Sequence, residues 1–531
     1  MPPIDKPIRD SFDLSGSVYL ITSDGQILNL PIPSESPCDP LNWSSKKRVL
    51  ALLAIGVFSF VGLALPQGAS LMMNGLSAEF SVENSKPFAI DTLVSAPTLF
   101  MGLGAFIWIP LSLALGRRPV FVIAATLMFL SSLAAGFARS YYELLASVCV
   151  LGLTEGFSLS TALLMVIDLT FIHQRPSAIA MVWSIVGFCG ASFLSFVPFM
   201  TNQGTKWRSF YLYWCIPAGI SCIMAFLSPE THFKRPAVAF DGRIILQSAT
   251  EKITIYSDVD DQHRNKALPN TPSQSALRTF ADWFRIPRSN AGCWIAMARS
   301  YPQILMCFLN PLIFWVLLLT GVNFSGMMFI GTTYELILSK TPYQLSSNLI
   351  VLVNVSAGVG ALLAWPAAGR MVASLCRSFS HRNRGVREAE HYLVGYVLPV
   401  LTGGLSTLLY GLAVKFKWHF STFYIAYGLN AFSFTALAIA NTLWVTEAFP
   451  RWAAAALVVV GGGSYATSFG MSFVLMPWIR ARGYLGVGVQ LTALQVVLGG
   501  IIVPVAFWGK SVRQHIHSRW AIWKDGALRP Q

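Results

Sequence analysis

Charged residues are scarce in this sequence: Asp, Glu, Lys and Arg make up 12% of its 531 positions, about half the share found in ordinary soluble domains. This scarcity excludes a conventional soluble enzyme and a disordered scaffold, because both need a more polar chain. Hydrophobic residues instead make up 54% of the sequence, and the mean hydropathy is +0.56. The composition therefore indicates an integral membrane protein.

Paired cysteines and reactive motifs are also missing from the sequence. Five of the eight cysteines fall within long apolar segments, and no spacing among the eight is typical of a disulfide framework or a zinc site. We also find no phosphate-binding loop and no nucleophile–base constellation. We therefore expect neither a cofactor nor a metal, and we do not expect an enzyme.

What the chain has instead is a series of long apolar windows. Eleven windows contain no charged residue, and a twelfth contains only Glu155. Each has at least about 20 residues, enough to cross a bilayer, and only helices or closed barrels satisfy their backbone groups in lipid. Because the windows show no polar alternation, we predict an all-α integral membrane fold with twelve transmembrane helices. The windows are 49–78, 92–116, 119–138, 144–167, 176–205, 209–229, 300–334, 341–369, 391–414, 418–446, 452–479 and 483–509.

The net charge of +14 is distributed unevenly about these windows. Lys46, Lys47 and Arg48 directly precede the first window, and most Lys and Arg near window ends lie on the same predicted side of the membrane. By the positive-inside rule, this distribution predicts that both termini are cytoplasmic. The basic excess is thus a topology signal, and we expect contact with the lipid bilayer and not with nucleic acid.

A polar stretch at 230–299 divides the windows into two groups of six. We predict a cytoplasmic N-terminal tail at 1–45, a six-helix bundle at 46–229, a cytoplasmic central loop at 230–299, a second six-helix bundle at 300–509 and a cytoplasmic C-terminal tail at 510–531.

The two groups carry similar features at matching positions. Gly104 is followed by Pro110 in the second window, and Gly360 is followed by Pro366 in the eighth. The fifth and eleventh windows are both rich in small residues, which let helices approach closely. We therefore predict two pseudo-symmetric six-helix halves. The small residues expected to pack or gate the helices are Gly187, Gly190, Gly461, Gly462 and Gly463.

Several short motifs follow one another along the chain. They are Asp39-Pro40-Leu41-Asn42-Trp43-Ser44 before the first window, Gly116-Arg117-Arg118-Pro119 after the second, Asp168 to Arg175 after the fourth, and Arg382-Asn383-Arg384-Gly385 before the ninth. In order and spacing they resemble the major facilitator superfamily, and within it the fungal twelve-span drug:proton antiporter-like branch. The resemblance implies a transporter that works by alternating access. It also implies gating roles for Gly116, Arg117, Arg118, Asp168 and Arg175.

The chain departs from this family pattern at two informative positions. Leu113 stands where the signature loop usually carries Asp, and Ala191 stands where the antiporter motif usually carries Pro. Arg117 therefore lacks its usual partner. Asp168 and Glu447 are the nearest acidic candidates by their depth in the predicted bundle.

One acidic residue, Glu155, lies midway along a predicted span, whereas the other acidic residues lie in tails, loops or span ends. A carboxylate at this depth is costly and marks a functional site by default. We predict that Glu155 carries a proton or meets a cationic substrate. The alternative is a protonated Glu that hydrogen-bonds to a neighbouring helix.

Other polar and aromatic residues in the windows are candidates to line a central cavity. Buried amides also hold membrane helices together, so helix packing is an equal alternative for each of them. An apolar, aromatic cavity with few polar groups suits an amphipathic organic molecule. The candidates are Gln67, Trp183, Asn323, Tyr334, Asn354, Asn430 and Asn441.

We therefore predict a secondary active transporter that exports a small organic compound, such as a drug or a secondary metabolite, at the expense of the proton gradient. Two alternatives stay open: proton-coupled uptake of a cationic nutrient such as a polyamine, and a non-transporting receptor with the same fold. The expected partners are a small-molecule substrate and protons, and the expected form is a monomer. We expect it in the plasma membrane, with the vacuolar membrane as the alternative.

Overall fold

The computed structural model of the protein is almost entirely helical. The described residues are 39–80, 85–202, 204–233 and 291–519, with short pieces of the N-terminal segment between 17 and 33. Most of the predicted central loop and the last twelve residues of the predicted C-terminal tail lie outside the described residues.

Six long helices form the first half of the bundle. All are long and apolar enough to cross a membrane, and α1 includes a short 3₁₀ turn at Gly68–Met72. They are α1 (Ser45–Glu79), α2 (Thr92–Leu115), α3 (Arg117–Phe137), α4 (Tyr141–Asp168), α5 (Arg175–Leu194) and α6 (Trp207–Leu227).

Six further helices form the second half. A continuous helical run at Ala453–Arg513 is too long for one span and turns at Gly483, so it contains two of them. The six are α7 (Pro311–Leu338), α8 (Ser347–Arg382), α9 (Ala389–Phe416), α10 (Ser421–Ala448), α11 (453–482) and α12 (484–519, with a break at 501). The predicted fold of twelve helices in two halves is confirmed.

Two helix junctions depend on glycine. Gly116 joins α2 to α3 with φ at 91°, and Gly483 joins α11 to α12 with φ at 71°. A side chain disfavours this region of backbone space, and glycine enters it without that penalty. Each junction therefore reverses the chain in a single residue.

The start of the seventh span differs from its prediction. The window 300–334 is divided at Asn310, whose side chain accepts a hydrogen bond from the backbone N–H of Leu312. Pro311 then begins α7, because proline disfavours a helical conformation in the residue before it. A separate helix, Ala291–Leu309, precedes α7 and begins inside the segment predicted as a loop.

Both tails also contain more structure than their sequences indicate. A two-stranded antiparallel sheet joins β1 (Ser17–Tyr19) to β2 (Val386–Glu388), which lies between α8 and α9. At the other end of the chain, α12 continues to residue 519. Two ion pairs, Lys510–Glu388 at 2.5 Å and Arg513–Glu390 at 2.8 Å, hold this extension against the start of α9.

The halves contact each other most extensively along two helix pairs, α2 with α11 and α5 with α8. A Cβ atom at Gly102 of α2 would lie 2.7 Å from the carbonyl oxygen of Gly462 of α11, and one at Gly358 of α8 would lie 2.3 Å from Ser192 Oγ of α5. Small residues thus permit close contact at both pairs. We call this contact region the seam.

Candidate functional site

A small cluster of apolar and aromatic side chains lies at the seam, separate from two larger hydrophobic cores, one of which spans both halves while the other lies in the second half. Met101 of α2, Leu159 of α4 and Tyr465 of α11 are buried at its centre. Trp183 of α5 and Phe324 of α7 pack against them, and the Phe324 and Tyr465 rings lie 4.9 Å apart. Five different helices therefore contribute to one central cluster, which brings both halves together.

Glu155 lies one turn before Leu159 on α4 and is 2% exposed. A Cβ atom at Gly62 of α1 would lie only 2.2 Å from Glu155 Oε2, so a glycine at this position leaves the space that the carboxyl group occupies. Tyr465 interacts electrostatically with Glu155 across the seam. The carboxyl group therefore lies beside the aromatic cluster, deep in the bundle.

At this centre Trp183 Nε1 has no hydrogen-bond partner among the described residues, and the polar side chain nearest to the Glu155 carboxyl group is Ser158 of the same helix. Buried polar groups in native proteins are usually satisfied, and each exception calls for an explanation such as a bound water or a functional role. An acceptor or acidic oxygen and an indole donor thus accompany the aromatic rings. This arrangement suits a molecule with apolar surface and a few polar or cationic groups.

Of the seven residues predicted to line a cavity, Trp183 joins this cluster, and Gln67 lies half-buried at the end of the first helical segment of α1. The other five bond to side chains within the second half, which favours the helix-packing interpretation for them. The bonds are Asn323 to Ser433 at 2.6 Å, Asn430 to Ser406 at 2.9 Å, Asn441 to Thr320 at 2.8 Å, and Asn354 to Tyr334 at 3.3 Å.

Sequence reasoning missed Tyr465, Phe324 and Met101 at the centre. Tyr465 directly follows the small-residue patch that ends at Ser464, and this proximity is the one sequence signal that could have identified it. Phe324 and Met101 carry no such signal, because phenylalanine and methionine are common throughout the windows. Only the rotation of each helix about its own axis distinguishes these residues from lipid-facing ones.

The end of the bundle at which α1 begins and α12 ends is here called the terminus face. It is closely packed: every residue from 154 to 167 on α4 and from 441 to 448 on α10 is buried. Arg117, at the start of α3, pairs with Asp168 at the end of α4 and donates to the carbonyl oxygen of Leu164 at 2.9 Å. Asp168 thus takes the position that the missing signature Asp leaves open.

Glu230, just after α6, completes this corner of the first half. Its carboxylate accepts hydrogen bonds from the backbone N–H groups of Arg117 at 3.2 Å and Arg118 at 3.1 Å, at the start of α3. Burial raises the pKa of the Glu230 carboxyl, although these backbone hydrogen bonds act in the opposite direction. A Cβ atom at Gly116 would lie 2.8 Å from the same carboxylate, so glycine is needed here for space as well as for its positive φ.

One ion pair on the terminus face joins the two halves. Arg175, at the start of α5, donates to Glu447 at the end of α10, with an N···O distance of 2.5 Å. The side chains are only 2% and 8% exposed. Separation of the halves at this face would have to break the pair.

The glycines that the sequence identified lie in tight helix contacts. A Cβ atom at Gly187 would lie 2.9 Å from Ala361, one at Gly190 would lie 2.6 Å from Leu63, and one at Gly463 would lie 2.5 Å from Leu317. At Gly461 the nearest atom is the Leu159 carbonyl oxygen, at 3.4 Å. Three of these four contacts therefore leave no space for a side chain.

The sequence pattern of the Major Facilitator Superfamily matches residues 49–374, which is more than half of the chain. The chain belongs to the Major Facilitator Superfamily. The predicted family is confirmed, and so is the expectation that this membrane transporter is not an enzyme.

Fungal relatives of this transporter match it over most of its length. An uncharacterized MFS-type transporter of Schizosaccharomyces pombe is 22% identical over 93% of this chain and 89% of its own length. The efflux pump radE of Floropilus chiversii is 22% identical over 91% of this chain and 84% of its own length. The multi-pass architecture is therefore shared along the whole bundle.

Among solved structures, the proton:xylose symporter XylE of E. coli has a similar fold. It aligns with a TM-score of 0.57 and 14% identity, over 87% of this transporter and 97% of its own chain. At this identity the likeness extends to the fold alone.

Proposed function

We propose that this transporter exports a small amphipathic organic compound in exchange for protons, and that Glu155 is the proton-carrying group. The observation that carries the proposal is the position of Glu155: a buried carboxyl group one turn before Leu159 of the central cluster and near Tyr465. Relatives named as an efflux pump and, in Candida glabrata, as a multidrug transporter support the outward direction.

The chemistry follows from burial. An uncompensated carboxylate this far from water is costly, so the group is stable either protonated or next to a cation. Among the described residues, no Lys or Arg lies midway along a span to pair with it. Binding of a proton and binding of a cationic or strongly polar substrate therefore exclude one another at this site, which is the requirement for exchange.

Alternating access supplies the second requirement. Arg175–Glu447 closes the terminus face in the present arrangement, while Arg117–Asp168 and Glu230 hold the first-half helices that border it. Opening at this face breaks the bond between Arg175 and Glu447 and admits substrate from that side. The basic flanking residues predict that this side is the cytoplasm.

The test measures cellular accumulation of cationic amphipathic, neutral amphipathic and polyamine compounds in a host that lacks its main exporters. We expect the wild-type protein to lower the accumulation of at least one amphipathic compound severalfold, and a protonophore to abolish the difference. Glu155→Gln removes the titratable group at nearly constant shape and is expected to abolish export. Glu335→Gln, an exposed carboxyl near the far end of α7, is the matched control and should behave as wild type.

Normal export by Glu155→Gln would refute the proton role of Glu155. A second function, uptake of a cationic nutrient, draws on the same observation, because a lone carboxyl beside aromatic rings suits a cation whichever way it moves. Higher accumulation of a polyamine in cells with the wild-type protein would show that the transporter takes up this compound and does not export it. Binding of a compound without any change in its accumulation would favour the receptor alternative.

A further inference from the structure

The carboxylate of Glu447 interacts with a second arginine besides Arg175. Arg175 of α5 donates to it across the seam, with an N···O distance of 2.5 Å. Arg387 of β2, in the second half, interacts electrostatically with the same carboxylate. The buried Tyr392 of α9 interacts electrostatically with all three charged groups, which places them in one cluster on the terminus face. The Glu447 carboxylate therefore attracts one arginine from each half.

Arg387 is held by the second half, to which Glu447 also belongs. Its guanidinium group lies over the Tyr392 ring, 4.5 Å from the ring centroid, and it interacts with the Cys376 thiol of α8. Because β2 lies between α8 and α9, all these contacts are made within one half. A rotation of the halves relative to each other would separate Arg175 from Glu447, but it would leave Arg387 beside that carboxylate.

Arg387 also has a hydrogen-bond donor that the closed arrangement leaves unused. The side chain is 6% exposed, and its Nε has no hydrogen-bond partner among the described residues. A guanidinium group carries five N–H donors in a planar fork that matches the geometry of a carboxylate. Arg387 is therefore suited to bond to Glu447 once Arg175 has moved away.

We propose that Glu447 exchanges partners as the transporter works: it bonds to Arg175 while the terminus face is closed and to Arg387 when that face opens. A buried carboxylate that loses its cationic partner is strongly destabilised, and Arg387 prevents this loss in the open arrangement. Arg175 thus favours closure, whereas Arg387 favours opening. The proposal rests on the opening of the terminus face, which is part of the proposed function, but not on the substrate, the direction of transport or Glu155.

The test is amide hydrogen exchange of the full-length protein in lipid nanodiscs, read by mass spectrometry. Exchange of the buried segment 441–448, at the end of α10, reports the fraction of open protein. Arg175→Gln should make this exchange severalfold faster, because the closed arrangement loses its pair. Arg387→Gln should make it severalfold slower, because the open arrangement loses its cation. Arg382→Gln removes an exposed arginine at the end of α8 and is the matched control, which should behave as wild type.

A double variant separates partner exchange from simple repulsion between the two arginines. If Arg387→Gln slowed exchange only by relieving repulsion of Arg175, the slowing would persist in full when Glu447→Gln is also present, and the proposal would be wrong. Partner exchange predicts that most of the slowing disappears in this background. Peptides from 120–135 of α3 should be unaffected. Faster exchange there in Arg387→Gln would show that Arg387 stabilises the fold as a whole, which would also overturn the proposal.

The experiment distinguishes failure of partner exchange from failure of the proposed function. Unchanged exchange at 441–448 in Arg175→Gln would contradict opening of the terminus face through this ion pair, and thus the alternating access proposed above. Faster exchange in Arg175→Gln, together with unchanged or faster exchange in Arg387→Gln, would leave that opening intact and overturn partner exchange alone.

Discussion

The two halves of this transporter have the same architecture but different polar interiors. The first half contains one acidic side chain midway along a span, the buried Glu155. The second half contains neutral amides and hydroxyls that bond to one another, such as Asn323 with Ser433 and Asn430 with Ser406. The group able to change its charge thus lies in one half, while fixed hydrogen bonds hold the helices of the other.

The terminus-face corners of the halves show a second contrast. In the first half, the cationic start of α3, with Arg117 and Arg118, is held by Glu230 after α6. In the second half the signs are reversed, because the acidic Glu388 at the end of β2 and Glu390 at the start of α9 are held by Lys510 and Arg513 of α12. Each half therefore has an electrostatic contact near the start of its third helix and the end of its sixth, but the positive charge is on opposite members of the two contacts.

The largest effect is expected at the contact that joins the halves. Arg175→Ala removes the first-half partner of the buried Glu447 and leaves it beside Arg387 of its own half, and breaking a buried pair from one side costs up to about 3–5 kcal/mol. The free energy of unfolding in mixed micelles measures the loss. Adding Glu447→Gln should restore part of it, because the buried negative charge is then removed. If the double variant lost as much free energy of unfolding as the two single variants combined, Arg175 and Glu447 would not stabilise each other.

A smaller effect is expected from glycines at the seam. Gly102→Ala places a Cβ atom 2.7 Å from the Gly462 carbonyl oxygen, a backbone atom that cannot move cheaply, and we expect a loss of about 2 kcal/mol in the free energy of unfolding. Gly403→Ala, inside the second half, meets the ends of the Ser433 and Asn323 side chains and should cost less. Gly470→Ala has nothing within 4 Å and is the control. Equal losses in the free energy of unfolding for Gly102→Ala and Gly470→Ala would contradict the close packing of α2 against α11.

The contrast between the interiors gives the third prediction. Asn323→Ala removes one bond of the amide network and should lower the free energy of unfolding by about 1 kcal/mol, the usual scale of hydrogen bonds within membranes, with export unchanged. Glu155→Gln should show the opposite pattern, with export lost and stability nearly unchanged. Thermal unfolding and the accumulation assay, applied to both variants, measure the two properties. Loss of export in Asn323→Ala at normal stability would place the second-half amides in the transport site.

The smallest effect concerns pH at the seam. Burial, together with the nearby Arg387 and Arg377, lowers the pKa of His173 below its usual 6.5. The folded protein thus binds a proton at His173 less readily than the unfolded chain does, so stability should be lost as the pH falls from 6.5 through the folded pKa. His173→Gln should make this dependence shallower in unfolding measurements between pH 5 and 8. An unchanged slope would show that His173 does not contribute.

Several local features could be predicted from residues alone. Gly116 was expected at a helix junction, and the structure gives it a positive φ that other residues rarely adopt. Glu155 was expected midway along a span, and it is buried there. In contrast, four asparagines and one tyrosine were predicted to line a central cavity, and in the structure they bond to partners within the second half.

The number of spans, their division into two halves, the family and the lone acidic residue midway along a span all follow from the amino-acid sequence. Each of these features depends on residues that are close together in the sequence, since an apolar segment is long enough and apolar enough to cross lipid because of the residues it contains. The three-dimensional packing of the helices, in contrast, pairs Arg117 with Asp168 and Arg175 with Glu447, and it places Tyr465 rather than Asn430 at the centre. Those choices depend on how far each helix rotates about its axis and where it crosses its neighbours, which is determined by packing between segments distant in sequence.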